Sequence, residues 1–326
     1  MEKSTVLTSV VIPNYNGIAY IDNCLQSLLQ NKESKFKIIV VDNASTDGSI
    51  ERIRDQYPEV VLLCSKENEG FSKAVNRGIL AADTEFVLLL NNDTVVEPDF
   101  VYQLECAIAS HKECFSVSSK MLCYNDPQII DDAGDLYCAL GWAFSPAKGK
   151  KANTCESEKK VFAACAGAAI YRRELLVKIG LFDEEHFAYL EDIDVGYRAK
   201  IEGYYHLFCP SAKVLHIGSA SSGSTHNEFK VNLSSRNSIY LIYKNMPFLQ
   251  IVINLPFLLP GFLVKYIFFH KKGLGNTYLL GIKKGFALCK SENGKAHKVK
   301  FRAKQLPNYI KIQLELWWNI IRRVTG

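Results

Sequence analysis

The sequence predicts an α/β fold with a mainly parallel central sheet, followed by a basic, helical C-terminal region. Short apolar runs alternate with helical stretches through the N-terminal part of the chain, which is typical of β-α-β units. Two of these runs, 38–41 and 86–90, lead directly into turns that carry Asp42 and Asp93. Because the carboxyl ends of parallel strands meet at one edge of a sheet, we expect both aspartates to face one ligand-binding crevice.

Each predicted element rests on its own local pattern. Apolar runs bounded by polar turns predict strands at 6–13, 37–41, 60–64 and 85–90. Apolar residues at helical spacing predict helices at 19–30, 49–57, 71–81 and 99–111. The stretch 141–160 is rich in glycine, proline and lysine, and therefore predicts a mobile loop.

Composition indicates a folded, enzyme-sized protein. The chain has 326 residues, of which 48% are hydrophobic and 22% charged, enough for one large domain plus an appendage. None of the ten cysteines forms a Cys-x-x-Cys pair or a Cys/His metal spacing, which favours free thiols in a reducing cytosol. The start leads directly into a strand-like run without a secretory signal, so we expect the catalytic part in the cytoplasm.

Charge is distributed unevenly and marks off the C-terminal region. Residues 261–326 contain fourteen Lys and Arg against two acids, whereas the preceding 260 residues carry a net charge of −7. The apolar run 248–269 is interrupted by Pro256, Pro260 and Lys265. We expect a pair of helices that lie on the anionic inner face of a membrane, with a helical cap or an oligomer interface as alternatives. Bases that alternate with large aliphatic residues argue against a nucleic-acid surface.

The turns after the first two strands offer groups that suit a nucleotide base. Pro13 ends the first strand and leaves Tyr15 and Asn16 to face a planar ring. Asp42 could accept a hydrogen bond from a pyrimidine imide N–H. In isolation, such residues are more often turn formers or helix caps than ligands.

Five motifs, in this order, resemble those of the family-two glycosyltransferases, which have a GT-A fold. They are Val-Ile-Pro-Asn-Tyr-Asn-Gly at 11–17, Val-Val-Asp-Asn-Ala-Ser-Thr-Asp-Gly-Ser at 40–49, Asn-Glu-Gly at 68–70, Asn-Asn-Asp at 91–93 and Glu-Asp at 191–192. We therefore predict a GT-A domain at 1–245 and a helical, membrane-associating region at 246–326.

Within that family the chain looks most like the rhamnosyltransferase branch. That branch has segments similar to 131–134 and 165–168, and pairs similar to Arg236-Asn237 and Lys244-Asn245. Neighbouring branches that transfer galactose, galactofuranose or N-acetylglucosamine share most of these residues.

The resemblance implies a donor sugar linked to a nucleotide diphosphate, either a thymidine (dTDP) or a uridine (UDP) derivative. Arg77 would reach a phosphate, unless it lies on a solvated helix face. The expected donor-binding residues are Pro13, Tyr15, Asn16, Asp42, Asn43, Asn68, Arg77, Asn91, Asn92 and Asp93. A divalent cation, Mn²⁺ or Mg²⁺, would be held by Asp93 and His216, although His216 could instead be a hydrogen-bonded residue that ends a buried strand.

The resemblance also assigns the catalytic step. Asp192 would take the proton from the acceptor hydroxyl, Glu191 would orient the acceptor, and in-line attack would invert the anomeric centre. Gly167 and Ala168 are small enough to admit the acceptor sugar. Helix caps and close packing select the same residue types at these positions.

The function expected from the sequence is metal-dependent, inverting hexosyl transfer. The sugar, with rhamnose as one candidate, would pass to a lipid-linked or oligosaccharide acceptor in surface polysaccharide biosynthesis. Such an enzyme would be peripheral on the inner face of the cell membrane. A nucleotidyl-transfer protein or a noncatalytic sugar-nucleotide-binding scaffold could use the same sheet and is the alternative.

Overall fold

The N-terminal part of the chain alternates strands and helices as predicted, in a computed structural model that describes residues 6–218 and 227–325. In chain order the elements are β1 (Thr8–Asn14), α1 (Ile21–Leu29), β2 (Phe36–Asp42), α2 (Ser49–Gln56), β3 (Val61–Cys64), α3 (Phe71–Ala81), β4 (Phe86–Leu90), β5 (Thr94–Val96) and α4 (Phe100–Ala109). The predicted strands and helices up to α4 are all present, and their ends differ by at most two residues. The short strand β5 was not predicted.

The described residues after α4 add further strands and then a series of helices. After α4 come β6 (Cys114–Cys123), β7 (Asp126–Asp132), β8 (Leu136–Cys138), β9 (Trp142–Phe144), β10 (Lys159–Val161), β11 (Ala168–Arg172), α5 (Arg173–Lys178), α6 (Glu191–Ile201) and β12 (Tyr205–His216). The chain continues with α7 (Glu228–Asn245), α8 (Phe248–Lys271), α9 (Gly275–Lys290), α10 (Glu292–Ala296) and α11 (Leu306–Thr325). The loop expected at 141–160 is instead held in place by β9 and β10, which pair with β8 and β12.

The large sheet is parallel where the sequence predicted it and mixed beyond that point. Its strand order is β10-β12-β6-β11-β4-β1-β2-β3, and β4, β1, β2 and β3 are parallel. Strand β11 runs antiparallel to both β4 and β6, and β12 is parallel to β6. Two reversals leave β12 running in the same direction as β4, so His216 and Asp93 reach the same edge of the sheet.

Helices cover both faces of the sheet, which explains the continuous apolar runs in β1, β2 and β4. Alternate residues of β1 enter opposite cores: Val10 and Ile12 pack with α1 and α4, whereas Val11 packs with α3 and α6. Strands buried on both faces gain from an apolar residue at every position. The site residues are therefore confined to the turns at the strand ends.

The C-terminal region is helical, as predicted, but α8 differs from the expected pair of helices. It continues through Pro256 and Pro260 as one 24-residue helix. It is also the one helix within 6–218 and 227–325 that is long and apolar enough to cross a membrane. Helix α7 lies against α9, where Gly281 and Gly285 leave no room for side chains. A division of the chain at residue 245 would separate these packed helices, and it stays a prediction.

Candidate active site

A cavity of about 880 Å³ opens at the edge of the sheet where β1, β4 and β12 end and α6 begins. It brings together most of the residues predicted from separate motifs. Those from the first hundred residues are Pro13, Tyr15, Asn43, Asn68, Asn91, Asn92 and Asp93. Those from later in the chain are Gly167, Glu191, Asp192 and His216. The cavity therefore lies at the edge that the strand pattern indicated.

Four predicted site residues do not line this cavity, and two of them, Ala168 and Arg77, contact other parts of the protein. Ala168 begins β11, and its fully buried side chain packs in the core. Arg77 turns toward the end of β3, where its guanidinium donates to the Cys64 carbonyl at 3.2 Å and to the Ser65 hydroxyl. The structure therefore favours the alternatives left open for both residues, close packing for Ala168 and a surface position for Arg77.

Asp42 and Asn16 brace the turns of the site instead of lining the cavity. Asp42 is fully buried, and it accepts from the Ser45 amide at 2.8 Å, the Ser45 hydroxyl at 2.7 Å and Asn14 Nδ2 at 2.7 Å. Asn16 Oδ1 accepts from the Thr46 amide at 2.9 Å. These bonds occupy most of the acceptor capacity of Asp42 and support the turn, and the expected contact with a base stays a prediction.

Asn14 lines the cavity but was not among the predicted site residues. Its Oδ1 accepts from Asn92 Nδ2 at 2.7 Å, while its Nδ2 donates to Asp42, so it links the turns that follow β1, β2 and β4. A side chain at Gly17 would overlap both asparagine side chains. The motif at 11–17 contains Asn14, but an asparagine in a turn gives no sign of such a link.

Asp93, His216 and Asp131 form a connected chain of polar groups in the cavity. His216 Nδ1 lies 2.7 Å from Asp131 Oδ2, and His216 Nε2 lies 3.4 Å from Asp93 Oδ1. Burial lowers the pKa of His216, but the two carboxylates outweigh burial and raise the pKa to about 9. Burial also opposes ionisation of Asp131, yet hydrogen bonds from His216 and Lys148 lower its pKa. Asp131 and Lys148 are lining residues that sequence reasoning missed.

This arrangement fits a divalent cation between Asp93 and His216. Because Asp131 engages Nδ1, Nε2 is the ring nitrogen that faces Asp93. Neighbouring ligand atoms of an octahedral ion, each about 2.1 Å from the metal, lie about 3 Å apart. The observed 3.4 Å between Nε2 and Asp93 Oδ1 is close to this separation. A carboxylate behind a metal-binding imidazole is a common way to fix the orientation of the ring.

Four carboxyl groups lie together in another part of the cavity: Glu191, Asp192, Asp132 and Asp135. Burial and the charge of Asp192 raise the pKa of Glu191 to about 8, and burial raises the pKa of Asp192 to about 6. Burial also raises the pKa of Asp132 to about 6 and that of Asp135 well above its usual value. Asp132, Asp135 and Cys165 place potential metal-ligand atoms within 4.8 Å of one another. Burial and repulsion between the carboxylates therefore make both acids weaker than usual, and Glu191 the weaker of the two.

The segment before α6 has an unusual backbone. Phe187 occupies the centre of a γ-turn, with φ 60° and ψ −61°, and the Ala188 amide donates to the His186 carbonyl at 2.6 Å. Tyr189 and Leu190 also have positive φ, at 71° and 67°. Non-glycine residues in such conformations are strained and occur mainly where the surrounding structure holds them.

Helix α7 holds this segment in place. Asn237 is fully buried, and its Nδ2 contacts the carbonyls of His186, Ala188 and Tyr189 at 2.9, 2.9 and 2.7 Å. The guanidinium of Arg236 donates to the His186 carbonyl at 2.8 Å and to the preceding carbonyl at 2.6 Å. The pair noted in the sequence therefore positions the segment that leads into the two acids of α6.

A buried ion network lies beside this segment. Lys244 Nζ is 2.6 Å from Asp183 Oδ2 and 2.8 Å from Asp194 Oδ2, and Arg198 is 2.8 Å from the same Asp194 oxygen. Burial opposes ionisation of Asp183, but Lys244 lowers its pKa below the usual value. Asp183, His186 and Asp194 have the spacing of metal ligands. Because Lys244 already supplies positive charge between the carboxylates, the cluster is structural.

Known proteins resemble this chain at the level of family and of fold. The model of glycosyl transferase family 2 matches residues 9–180. A relative from Mycobacterium tuberculosis, named N-acetylglucosaminyl-diphospho-decaprenol L-rhamnosyltransferase, is 28% identical over 242 residues. This match covers 67% of the chain and 78% of the relative.

Two solved structures share the fold at low identity. Mannosyltransferase PcManGT from Pyrobaculum calidifontis, in complex with GDP-Man and Mn²⁺, is 18% identical with a TM-score of 0.54, covering 96% of this chain and 87% of that one. GalNAc-T7, with UDP, GalNAc and Mn²⁺, is 16% identical with a TM-score of 0.60, covering 74% of this chain and 48% of that one. At these identities the likeness concerns the fold, and it confirms the predicted fold class.

Proposed function

This chain belongs to glycosyl transferase family 2, and on that premise we propose that it moves a sugar from a nucleotide diphosphate to a lipid-linked acceptor, with metal assistance and inversion. The observation that carries the proposal is that one cavity contains both the Asp93–His216 pair and the Glu191–Asp192 pair. The first pair suits a departing diphosphate and the second an incoming hydroxyl group. Both requirements of sugar transfer are thus met by this chain alone.

The nucleotide would occupy the part of the cavity formed by the turns after β1, β2 and β3. Tyr15 is partly exposed beside Pro13 and can stack on a planar base. Asn43 Nδ2 donates to the Gly70 carbonyl at 3.0 Å, which ties the second and third turns together. Asn68 lines the same wall and can hydrogen-bond the nucleotide.

Asp93 and His216 would hold the divalent cation, Mn²⁺ or Mg²⁺, and Asp131 would keep the imidazole ring in place. When bound, such an ion neutralises the charge that develops on the leaving diphosphate. Lys148 and Lys230 line the same cavity and add positive charge near it. Asn91 and Asn92 would help to position the diphosphate from the turn before Asp93.

Asp192 would act as the general base. With a pKa raised by burial to about 6, it is mainly ionised at neutral pH and can remove the proton from an acceptor hydroxyl. Glu191, whose pKa is raised to about 8, keeps its proton and can donate a hydrogen bond that orients the acceptor. Gly167 leaves space beside the acceptor because it carries no side chain. Attack opposite to the leaving diphosphate then inverts the anomeric centre.

The name of the mycobacterial relative supports rhamnose as the sugar and a lipid-diphosphate-linked N-acetylglucosamine as the acceptor. A dTDP-linked rhamnose is therefore the first donor to test. A lipid-linked acceptor is confined to a membrane surface, so we place the enzyme peripherally on the cytoplasmic face of the cell membrane, in surface polysaccharide biosynthesis.

The test is release of nucleoside diphosphate by the full-length protein, with Mn²⁺, a lipid-linked N-acetylglucosamine acceptor and a panel of dTDP- and UDP-linked sugars. We expect metal-dependent release with one donor, and only when the acceptor is present. Asp192→Asn should lower turnover by about 100-fold or more without a change in donor binding. Asp55→Asn, an exposed acid on α2, is the matched control.

Three results would redirect the proposal. Full turnover by Asp192→Asn would remove its role as base. Turnover with a UDP-linked sugar alone would replace rhamnose by galactose, galactofuranose or N-acetylglucosamine. Nucleotide binding without any transfer would favour a noncatalytic scaffold.

A further inference from the structure

Helix α8 has the polarity of a membrane helix turned toward lipid. Its buried residues are Gln250, Asn254, Leu258 and Gly261, so two of the four carry polar amides. Its exposed residues from 248 to 268 are all apolar: Phe248, Leu249, Val252, Ile253, Leu255, Pro256, Leu259, Pro260, Leu263, Val264, Ile267 and Phe268. A helix on the surface of a soluble domain has the opposite arrangement.

Helix α11 adds a second exposed apolar face beside α8. It buries Gln313 and Asn319 together with Tyr309, Ile312 and Leu316. It also exposes an apolar stripe with the spacing of one helical face: Leu306, Ile310, Leu314, Trp317, Ile321 and Val324. Trp318, next to the stripe, is 59% exposed. Contiguous apolar surface on this scale marks an interaction site on a soluble protein.

The polar groups between the two helices satisfy one another. Asn254 and Gln313 exchange two hydrogen bonds of 2.8 Å. Gln250 Nε2 donates to Gln313 Oε1 at 3.0 Å, and Tyr197 of α6 donates to Gln250 Oε1 at 2.9 Å. Hydrogen bonds between polar side chains, with small residues at close contacts, are the way helices associate where lipid surrounds them.

The attachments of α8 show that it lies flat against the folded domain. Near its start, Gln250 is bonded to Tyr197 of α6. At its middle, the Gly261 carbonyl accepts from Trp142 Nε1 of β9 at 3.1 Å. A helix of this length extends about 36 Å, enough to cross a bilayer. Because its middle is fixed to the catalytic domain, crossing would draw that domain into the hydrocarbon.

Charge around the apolar face complements an anionic membrane. Residues 261–326 contain fourteen basic and two acidic residues. Exposed lysines lie at the end of α8 and directly after it, at Lys271 and Lys272, and others lie on α9 at Lys283 and Lys284. Basic groups that border an apolar face are attracted to anionic headgroups, and tryptophan favours the headgroup level.

We propose that α8 and the apolar stripe of α11 are embedded in the plane of one leaflet of an anionic bilayer. The bilayer covers the apolar side chains, while the amide groups between the helices stay inside the protein. This inference rests on the membrane location in the proposed function, for which it identifies the surface and the depth. It requires no particular donor, sugar or acceptor.

The experiment measures binding of the full-length protein to sucrose-loaded vesicles without any substrate. We expect binding to vesicles that contain about one-third phosphatidylglycerol to be at least about tenfold tighter than to phosphatidylcholine alone, with most of this difference lost in high salt. Leu259→Asp on α8 should weaken vesicle binding about tenfold. Leu80→Asp, which changes an exposed leucine of α3, is the matched control and should bind as the unaltered protein does.

The same samples also show how deep the helices lie in the bilayer and whether a second copy of the chain covers the apolar face instead. Lipids brominated near the headgroup should quench tryptophan fluorescence more than lipids brominated near the chain ends. Equal vesicle binding by Leu259→Asp and the unaltered protein would overturn the proposal. So would a dimer that forms without vesicles and is lost in Leu259→Asp, because a second copy would then cover the face. If the donor stabilises Leu259→Asp against heat as much as it stabilises the unaltered protein, the variant is folded. Because vesicle binding is measured without substrate, its result stands even if no sugar transfer is found.

Discussion

Replacing Asn237 by alanine tests whether α7 positions the catalytic acids. The Asn237 amide contacts three carbonyls of the segment that precedes α6, at distances from 2.7 to 2.9 Å. That segment contains three non-glycine residues with positive φ, Phe187, Tyr189 and Leu190. Without the amide, the segment keeps the hydrogen bonds from Arg236 and the ring contacts of Phe229 and Tyr240 on α7, but it loses the group that binds its carbonyls most extensively.

The expected size of the effect follows from these contacts. The two N–H groups of the Asn237 amide are shared among three carbonyls, so the lost contacts amount to about two hydrogen bonds of about 1 kcal/mol each, or about 2 kcal/mol. Relief of strain at the positive-φ residues, about 1 kcal/mol or more each, acts in the same direction. A shift of about 3 kcal/mol changes the population of the aligned segment about 100-fold. We therefore expect Asn237→Ala to lower kcat about 100-fold and to leave the donor KM within about twofold, since the nucleotide turns are untouched.

Steady-state kinetics with varied donor, together with urea unfolding, measures both effects. Asn319→Ala is the matched control. This asparagine of α11 is also buried and also donates to a backbone carbonyl, that of Tyr137 at 2.9 Å. Asn237→Asp keeps the shape of the side chain but presents only acceptor oxygens, so it should be as impaired as alanine. Loss of stability with unchanged kcat in Asn237→Ala, or an equal loss of kcat in Asn319→Ala, would refute the positioning role.

Three further predictions concern titration, metal affinity and stability. Because burial raises the pKa of Asp192 to about 6 and the base must be ionised, kcat should fall about tenfold per pH unit below pH 6 and level off above it, as measured in pH-rate profiles. Asp131→Asn should weaken Mn²⁺ binding about 10- to 100-fold by calorimetry, since a neutral amide holds the His216 ring less firmly than the carboxylate does. Lys244→Met should lower the free energy of unfolding by about 3–5 kcal/mol at neutral pH, because the buried Asp183 and Asp194 lose the ammonium group that they share, although Asp194 keeps Arg198. This deficit should shrink on acidification, as those aspartates take up protons.

For each of these three predictions, one result would contradict the reasoning. A kcat that stays constant down to about pH 5 would show that no group with a pKa near 6 must be ionised. Mn²⁺ affinity that is equal in Asp131→Asn and in Asp126→Asn, an exposed control on β7, would remove the support for His216. Unfolding of Lys244→Met with the stability of the unaltered protein would show that the buried aspartates do not need the ammonium.

Local patterns in the sequence determined the parallel half of the fold. Apolar runs and turn residues act within a few positions of each other, so the strands and helices up to α4 could be placed within two residues. The strand ends in turn located the cavity, and the short motifs around Tyr15, Asp93 and Asp192 supplied residues that line it. These predictions needed no knowledge of distant contacts.

Only the tertiary structure decided which side chains meet. Asp131 reaches His216 because β6 lies between β7 and β12, a contact between residues 85 positions apart. The burial of Asp42 depends on Asn14 and on its own turn, and the inward direction of Ala168 depends on the register of β11 with β4. No local pattern specifies these neighbours, because each is set by how the strands are ordered in the sheet.

The C-terminal helices show the same division. Composition alone indicates an apolar, basic and helical region. Whether Gln250 and Asn254 of α8 face water, lipid or protein depends on what packs against the helix, and the structure places them against Gln313. The apolar side chains of α8 therefore lie on the protein surface, because a helix that buries its polar face must expose its apolar face.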